Sequence, residues 1–369
     1  MPPTLRVLAD DLTGALDTAA ELVGLCGPVE VGWAGGPQGS RPQSLAVDTG
    51  TRELAAAEAR HIVEGLAPLL AAADIAYKKV DSLLRGPWGA ELAACLRQGG
   101  WRRCIVAPAF PHQGRMTRGG RQLARGVDGA WTEISGDLAT ALRGEGIEAG
   151  RARPGDPLGD GVTVVDARTE GDLDRIVTAA RAGGGPVLWC GSGGLARALA
   201  HDRTVTPARK LRLPVLGLFG SDQRATAAQL VACREAWLTV AGGDEAAAVA
   251  GRLGRDGAAF VSVDLPAGTS RTDAARRIAH VLGRLALDLA APGTLIVAGG
   301  ETLMGLCVAL GARSLLATGQ VAPGLPRSIM RGGHWDGVET VSKSGAFGAP
   351  SLWRELLIEN GLLPGRDRR

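Results

Sequence analysis

Two adjacent carboxylates, Asp10 and Asp11, end an apolar run in Leu8-Ala9-Asp10-Asp11-Leu12-Thr13-Gly14-Ala15. Acids between a strand and a helix can cap the helix, hold a metal or act as a general base. Capping accounts well for one of them and poorly for the second. A second polar cluster, Tyr77-Lys78-Lys79-Val80-Asp81-Ser82-Leu83-Leu84-Arg85-Gly86, delivers two lysines, a carboxylate, a hydroxyl and an arginine at another strand end. Strand alternation sends Lys78 and Lys79 to opposite faces, so at most one points readily into a given pocket. Arg85 could grip a carboxylate through two bonds and Asp81 could accept a hydroxyl proton. The plainer alternative is a solvated turn carrying an Asp81–Arg85 ion pair. A third cluster runs Ala107-Pro108-Ala109-Phe110-Pro111-His112-Gln113-Gly114-Arg115-Met116-Thr117. Its prolines fix a loop, and Gln113, Arg115 and Thr117 offer donors to an anionic or hydroxylated ligand; His112 reads as a loop histidine.

The second half has a different chemistry. Glycine and hydroxyl residues occupy three strand-to-helix turns: Gly220-Ser221, Gly299-Gly300-Glu301-Thr302, and Lys343-Ser344-Gly345-Ala346-Phe347-Gly348. Glycines let backbone N–H groups approach a phosphate, and helix N-termini add partial positive charge. Lys343 supplies a point charge for a polyphosphate. The chain has 41 basic residues, of which only four are lysines, and three of those (Lys78, Lys79 and Lys343) fall in these segments. A compact ammonium does what a planar guanidinium cannot. Gly-Lys never occurs in the chain, which excludes a Walker A loop.

The elements that must position these residues alternate between short β-branched runs and Ala/Leu-rich amphipathic stretches, the pattern of an α/β protein. Strands are predicted over Leu5–Asp10, Val29–Ala34, Leu45–Val47, Ile75–Val80, Cys104–Ala107, Val162–Asp166 and Val187–Cys190, with helices over Gly14–Leu25, Leu54–Ala72, Gly89–Gln98 and Leu173–Ala182. The stretch His201–Leu213, basic and followed by Pro214, reads as a linker. A second α/β unit restarts with strand Val215–Phe219 and continues to a helix over Leu352–Glu359.

Composition bounds the class. The chain's 369 residues are comfortable for two domains, each able to bury its own core. Hydrophobic residues at 45% and charged residues at 21% argue against disorder, and a net charge of +3 with interspersed signs predicts no nucleic-acid surface. No apolar run reaches the ~18 residues a membrane span needs. The six cysteines lie far apart with no Cys-x-x-Cys pair, which suits reduced, buried thiols in a cytoplasm rather than zinc or disulfides.

Taken together and in order, the motifs resemble those of the four-carbon acid sugar kinases. Ala9–Ala15, Lys78–Gly86, Ala107–Pro111, Gly114–Thr117 and Gly119-Gly120-Arg121 are similar to that family's N-terminal sugar-binding domain. Gly299–Thr302 and Lys343–Gly348 look like its C-terminal nucleotide-binding domain. The resemblance implies two α/β domains with mainly parallel sheets and a ligand cleft between them, 1–205 binding the sugar acid and 206–369 the nucleotide. It implies ATP-dependent phosphorylation of the terminal hydroxyl of threonate, erythronate or 3-oxo-tetronate. Substrate contacts would come from the Asp10/Asp11 pair, Arg52, Lys79, Asp81, Ser82 and Lys78. Nucleotide contacts would come from Ser221, from Gly299, Gly300, Glu301 and Thr302, and from Lys343, Ser344 and Gly345 onward.

In the mechanism so expected, Arg52 or Arg85 holds the acid's carboxylate, and Asp11 or Asp81 accepts the proton of the attacking hydroxyl. ATP lies on the glycine turns with Mg²⁺ neutralising its phosphates; no metal ligand is identified. The partner is a small sugar acid, with neither nucleic acid nor membrane, and homo-oligomerisation stays open. One rival is a dehydrogenase, because Gly191-Ser192-Gly193-Gly194-Leu195-Ala196 follows a strand and opens a helix, although no βαβ unit with an acidic residue follows it. A non-catalytic sugar-acid sensor is the other, motivated by Gln223 and Ala349, where the family shows different residues.

Overall fold

A computed structural model describes residues 1–33, 43–126, 128–242, 244–266 and 268–365. The chain divides into two compact units, Met1–Val205 and Thr206–Arg369.

The first unit is built on a parallel sheet of β1 (Leu5–Ala9), β2 (Val29–Trp33), β3 (Leu45–Asp48), β4 (Ile75–Lys79) and β5 (Arg103–Ala107), with six further strands. These are β9 (Ala149–Ala152), β10 (Gly161–Val165), β11 (Val187–Gly191) and, in a separate antiparallel sheet, the trio β6 (Arg115–Arg118), β7 (Arg121–Arg125) and β8 (Trp131–Asp137). The spatial order of the parallel sheet is β2-β3-β1-β4-β11-β5-β10-β9. The chain leaves β1 toward β3 and then returns to β4 on its other side, so the strand order reverses at β1. Such a switch point is where open α/β sheets collect ligands, at the carboxyl ends. The connecting helices are α1 (Leu12–Cys26), α2 (Ala56–Leu66), α3 (Trp88–Arg97), α4 (Leu138–Gly144), α5 (Glu170–Ala182) and α6 (Gly193–Ala200). Strands β4 and β5 are buried at every residue and β1 at every residue but Arg6, because helices cover both faces of the sheet, and they bury residues such as Leu5, Leu8, Ile105 and Val106. At ~1.5–3 kcal/mol for each large apolar side chain removed from water, this burial is what anchors the strand ends.

The second unit contains β12 (Val215–Phe219), α7 (Arg224–Ala232), β13 (Trp237–Val240), α8 (Ala246–Asp256), β14 (Ala258–Val263) and α9 (Arg271–Asp288). It continues through β15 (Thr294–Ala298), α10 (Gly300–Ala309), β16 (Ser314–Ala322), β17 (Leu325–Arg331), β18 (Glu339–Lys343) and α11 (Leu352–Glu359). Its strand order is β13-β14-β12-β15-β18-β17-β16, parallel as far as β18 and antiparallel through the β16–β17 hairpin. Phe219, Phe260 and Trp353 pack together beneath β12.

The expected strands and main helices are present, with strand ends displaced by a residue and most helix ends by a residue or two, although α5 begins three residues earlier than expected and α7, α8 and α10 differ by three or four residues at one end; Ala34, the expected end of β2, lies outside the described residues. The expected helix Leu54–Ala72 is shorter, because a tight 3-10 turn over Ala67–Ala72, with Pro68 in its first turn, replaces its last third. The antiparallel trio β6–β8, helix α4 and the β16–β17 hairpin were not expected. Strands β6–β8 carry many exposed polar residues and so lack the apolar runs that mark the parallel strands, whereas β16 and β17 are long and buried or half-buried throughout but are interrupted by polar residues such as Thr318, Gln320, Arg327 and Ser328. Among the described residues no helix is long and apolar enough to cross a membrane, and all six cysteines are buried and unpaired.

Candidate functional site

Strand register places the polar clusters of the first unit side by side. Ala9, the last residue of β1, lies opposite Asp48 on β3 and Lys79 on β4, so the residues that follow these strands emerge together. Asp11 is the N-cap of α1, its Oδ1 accepting from the Gly14 N–H at 2.7 Å. That leaves Asp10 to be explained, and Arg52 explains it. The Arg52 guanidinium donates from Nε and Nη2 to the two Asp10 oxygens at 2.7 and 2.9 Å, and from Nη1 to Asp11 Oδ2. One arginine thus bridges both members of the acidic pair and lies 3.9 Å from Asp81.

The expected turn pair is also present. Arg85 Nε and Nη2 donate to Asp81 at 2.7 and 3.0 Å, but the turn is not simply solvated, since Asp81 is 8% exposed. Leu84 has a φ of 56°, an uncommon conformation for a branched residue, which indicates a backbone held by its surroundings. Gly86 fits here because a Cβ would stand 2.8 Å from the Arg52 carbonyl oxygen. The Arg52 loop and the Asp81–Arg85 turn are therefore packed backbone to backbone.

Lys78 and Lys79 do take opposite faces. Lys78 is fully buried and pairs with Glu91 of α3 at 2.9 Å, and its Nζ also donates to the Lys79 carbonyl at 2.8 Å. Glu91 accepts a further bond from Thr51, whose hydroxyl lies 2.7 Å from that of Thr49, and Thr49 donates to the Ala9 carbonyl at 2.9 Å. This buried chain of polar groups ties the ends of β1, β3 and β4 to α3. Lys79 instead faces α1, where a Cβ on Gly14 would stand 2.9 Å from its Nζ. Ser82 is half-buried, and its carbonyl accepts from Gln122 Nε2 at 3.0 Å.

The carboxylates differ in proton affinity. Burial alone would raise Asp10, but the charges of Arg52 and Lys79 outweigh it and lower its pKa. For Asp11 burial prevails over Arg52, and the pKa is raised. Burial would also raise Asp81, yet the Arg85 hydrogen bonds and the Arg52 charge hold it well below the usual carboxylate range. Two acids outside the expected set join them: burial pushes Asp48 up to about 7 and Asp17, on α1, up to about 8. Asp11, with 24% of its side chain exposed against 3% for Asp10 and 11% for Asp81, is the most accessible of the three expected acids.

In the second unit, register sets Ala298 between Phe219 and Lys343, so the three glycine turns leave the sheet at one level. Their glycines are required by contact. A Cβ on Gly220 would collide with Thr302 Oγ1, one on Gly345 with Ser221 Oγ, and Gly299 has a φ of 108°. Gly299 caps α10 without any side-chain bond, so the first N–H groups of Gly300, Glu301 and Thr302 have no intrahelical acceptor. Ser221, Thr302 and Gly345 thus meet around a small cradle that any side chain would fill, next to an uncapped helix start. That is the form of a phosphate site. Glu301 is exposed in the first turn of α10, and Ser344 is half-buried beside the cradle. Lys343 is 1% exposed, and its Nζ donates to Ser344 O, Gly345 O and Thr226 Oγ1 at 3.0, 3.2 and 3.3 Å. Burial lowers its pKa to about 8.

The turn behind the dehydrogenase alternative has another use. Added Cβ atoms on Gly193 and Gly194 would stand 2.9 Å from the Phe110 ring and 2.6 Å from the Ala109 carbonyl, so these glycines allow α6 to pack closely against that loop. Glu91, Thr51 and Gln122 were not singled out from the sequence. Each sits on an element whose partners are distant in the chain, and no local pattern marks it. Among the described residues no cluster of three or more metal-ligating side chains occurs.

Two family models match the chain. A family model described as "Sugar-binding N-terminal domain" matches residues 5–149 and 144–199, and one described as "Nucleotide-binding C-terminal domain" matches residues 195–352. The chain is 31% identical to the D-threonate kinase of Bordetella bronchiseptica, over 94% of this chain and 95% of that protein. It is 28% identical to the 3-oxo-tetronate kinase of Pseudomonas fluorescens, over 96% of each. The crystal structure of a Haemophilus influenzae protein, 19% identical, superposes with a TM-score of 0.69 over 96% of this chain and 100% of that one, a likeness of fold.

Proposed function

The chain belongs to the four-carbon acid sugar kinases, phosphotransferases that act on an alcohol group of an acid sugar, and on that premise we propose that it transfers the γ-phosphoryl group of ATP to the terminal hydroxyl of a four-carbon acid of the threonate, erythronate or 3-oxo-tetronate type. The observation that carries this reading is the clustering of Asp10, Asp11, Asp81, Arg52 and Arg85 at the switch point of the sheet in the unit matched by the sugar-binding model.

Asp11 accepts the hydroxyl proton. It is the most accessible acid of the three, and its raised pKa makes it a better base than Asp81, whose pKa is lowered. Asp10, locked onto Arg52, keeps that guanidinium in place, and Asp81, Lys79 and Ser82 orient the acceptor. Phosphoryl transfer is mostly positioning plus charge stabilisation, so a rigid constellation of this kind is what the chemistry asks of the protein.

The cradle of Ser221, Thr302 and Gly345 fits a nucleotide phosphate, with the N–H groups of Gly300 and Glu301 as donors. Lys343 shapes the loop carrying Ser344 and Gly345. Mg²⁺, which would neutralise phosphate charge when bound, needs only one or two carboxylates beside phosphate oxygens and water.

The test is a coupled ADP-release screen over threonate, erythronate and 3-oxo-tetronate stereoisomers, with D-threonate tried first. Turnover of at least one of them is expected. Binding of an acid by calorimetry with no ADP release from any would replace the kinase reading with a sensor.

A further inference from the structure

The cations around the first unit's site are not equally satisfied. Arg52 is engaged by Asp10 and Asp11, Arg85 by Asp81, and Lys78 by Glu91. Lys79 shares the charges of Asp10, Asp11, Asp17 and Asp81. Arg115 differs from all of these. Among the described residues no carboxylate stands within ion-pair distance of it, its Nη1 reaches only the Gln113 carbonyl of its own loop, and its Nε is buried with no acceptor. It nonetheless belongs to the site, since it interacts electrostatically with both Asp81 and Arg85, and burial lowers its pKa. A half-buried guanidinium with no carboxylate in contact gains when an anion joins it.

Its position is fixed by backbone. The Arg115 N–H donates to the Phe110 carbonyl and the Phe110 N–H to the Arg115 carbonyl, both at 3.0 Å, directly after β5. Gly114, with a φ of 70°, makes the left-handed turn into β6 that an L side chain would resist. Two residues on, Thr117 exchanges bonds with Ala167 at 2.8 and 3.0 Å. The fully buried Gln122 of β7 then fastens this hairpin to the site: Nε2 donates to Ser82 O at 3.0 Å and Pro108 O at 3.1 Å, while Oε1 accepts from Thr117 at 2.7 Å.

Resting on the kinase reading above, we propose that Arg115 receives the carboxylate of the acid substrate through paired charge-assisted hydrogen bonds, and so sets the preference for acids over uncharged analogues. This moves the carboxylate-holding role away from Arg52, whose three donor positions already face Asp10 and Asp11, and from Arg85, whose Nε and Nη2 face Asp81. The acidic group of Asp10, Asp11 and Asp81 then serves the hydroxyl end, where an anionic carboxylate would be repelled.

The test measures kcat/KM of the intact chain and of Arg115→Met and Arg115→Gln on the preferred acid and on its primary amide. Arg115→Met is expected to lower the acid-over-amide ratio by about 30- to 100-fold, with the loss falling on KM for the acid. Arg115→Gln should lose the preference in the same direction. An unchanged ratio in a variant that melts as a folded protein, alongside an active wild type, overturns the assignment and leaves the kinase reading standing. If Arg115→Met does not fold, Arg115→Gln decides by the same ratio. A wild type that phosphorylates no four-carbon acid overturns the kinase reading itself.

Discussion

The carboxyl ends of the two parallel sheets occupy equivalent places in their own units, yet they are made of opposite materials. In the first unit the level of Ala9 is crowded with charge: Asp10, Asp11 and Asp81 face Arg52, Lys79 and Arg85. In the second, the level of Ala298 holds glycines and hydroxyls, and its one ammonium, Lys343, is turned inward onto backbone carbonyls. A small polyhydroxy acid presents several similar hydroxyls, and fixed ionic side chains can tell them apart by position. A phosphate presents equivalent oxygens, for which backbone N–H groups and a helix start suffice if no side chain is in the way.

Removing the base should show this contrast most strongly. Asp11→Asn is expected to lower kcat by about two to four decades while leaving nucleotide affinity intact, and Asp81→Asn to act chiefly through KM for the acid. Steady-state kinetics with titrated nucleotide separates the two, and a larger kcat loss in Asp81→Asn would reverse the roles. Because the base must be unprotonated, activity is lost as pH falls through the raised pKa of Asp11, and the pH–rate profile of Asp11→Asn should lack that limb.

The ionic scaffold beneath the first site comes next. Lys78→Met leaves Glu91 buried and uncompensated, which should reduce stability by about 3–5 kcal/mol in denaturant unfolding, and adding Glu91→Leu should restore much of the loss. If the double variant is no more stable than the single one, the pair is not the unit it is taken to be.

On the neutral side the effects are steric and smaller. Gly345→Ala sets a methyl against Ser221 Oγ and should raise KM for ATP by about 10- to 100-fold, with affinity for the acid preserved. Smallest is a pH effect from Lys343. Its pKa in the fold is lowered to about 8 from the ordinary lysine value of 10.5, so above pH 8 the unfolded chain binds the more protons at this group. Stability should therefore gain with rising pH between about 8 and 10.5, and Lys343→Met should remove that component from denaturation curves of the intact chain.

Much of this was legible in the sequence because the strand-end residues are consecutive in the chain. Asp10-Asp11, Lys78–Arg85 and Gly299–Thr302 each announce a turn, and the alternation of Lys78 and Lys79 follows from strand geometry alone. What stayed hidden depends on pairings across the chain. Nothing near Glu91 shows that it will meet Lys78, and nothing near Arg52 shows that its guanidinium will bridge Asp10 and Asp11, 42 and 41 residues away. Strands β6, β7 and β8 went unseen for another reason. They are exposed and polar on much of their surface, so the apolar periodicity that reveals the central strands is missing.

Gln122 has a consequence beyond holding a hairpin. The side-chain ties of Arg52, Arg85 and Lys78 around the first site are ionic and weaken when the acid takes up a proton or when salt screens it. An amide that donates to two carbonyls and accepts from a hydroxyl is indifferent to both. The arm that presents Arg115 is thereby fastened by a tie that does not depend on the protonation state of the neighbouring acids.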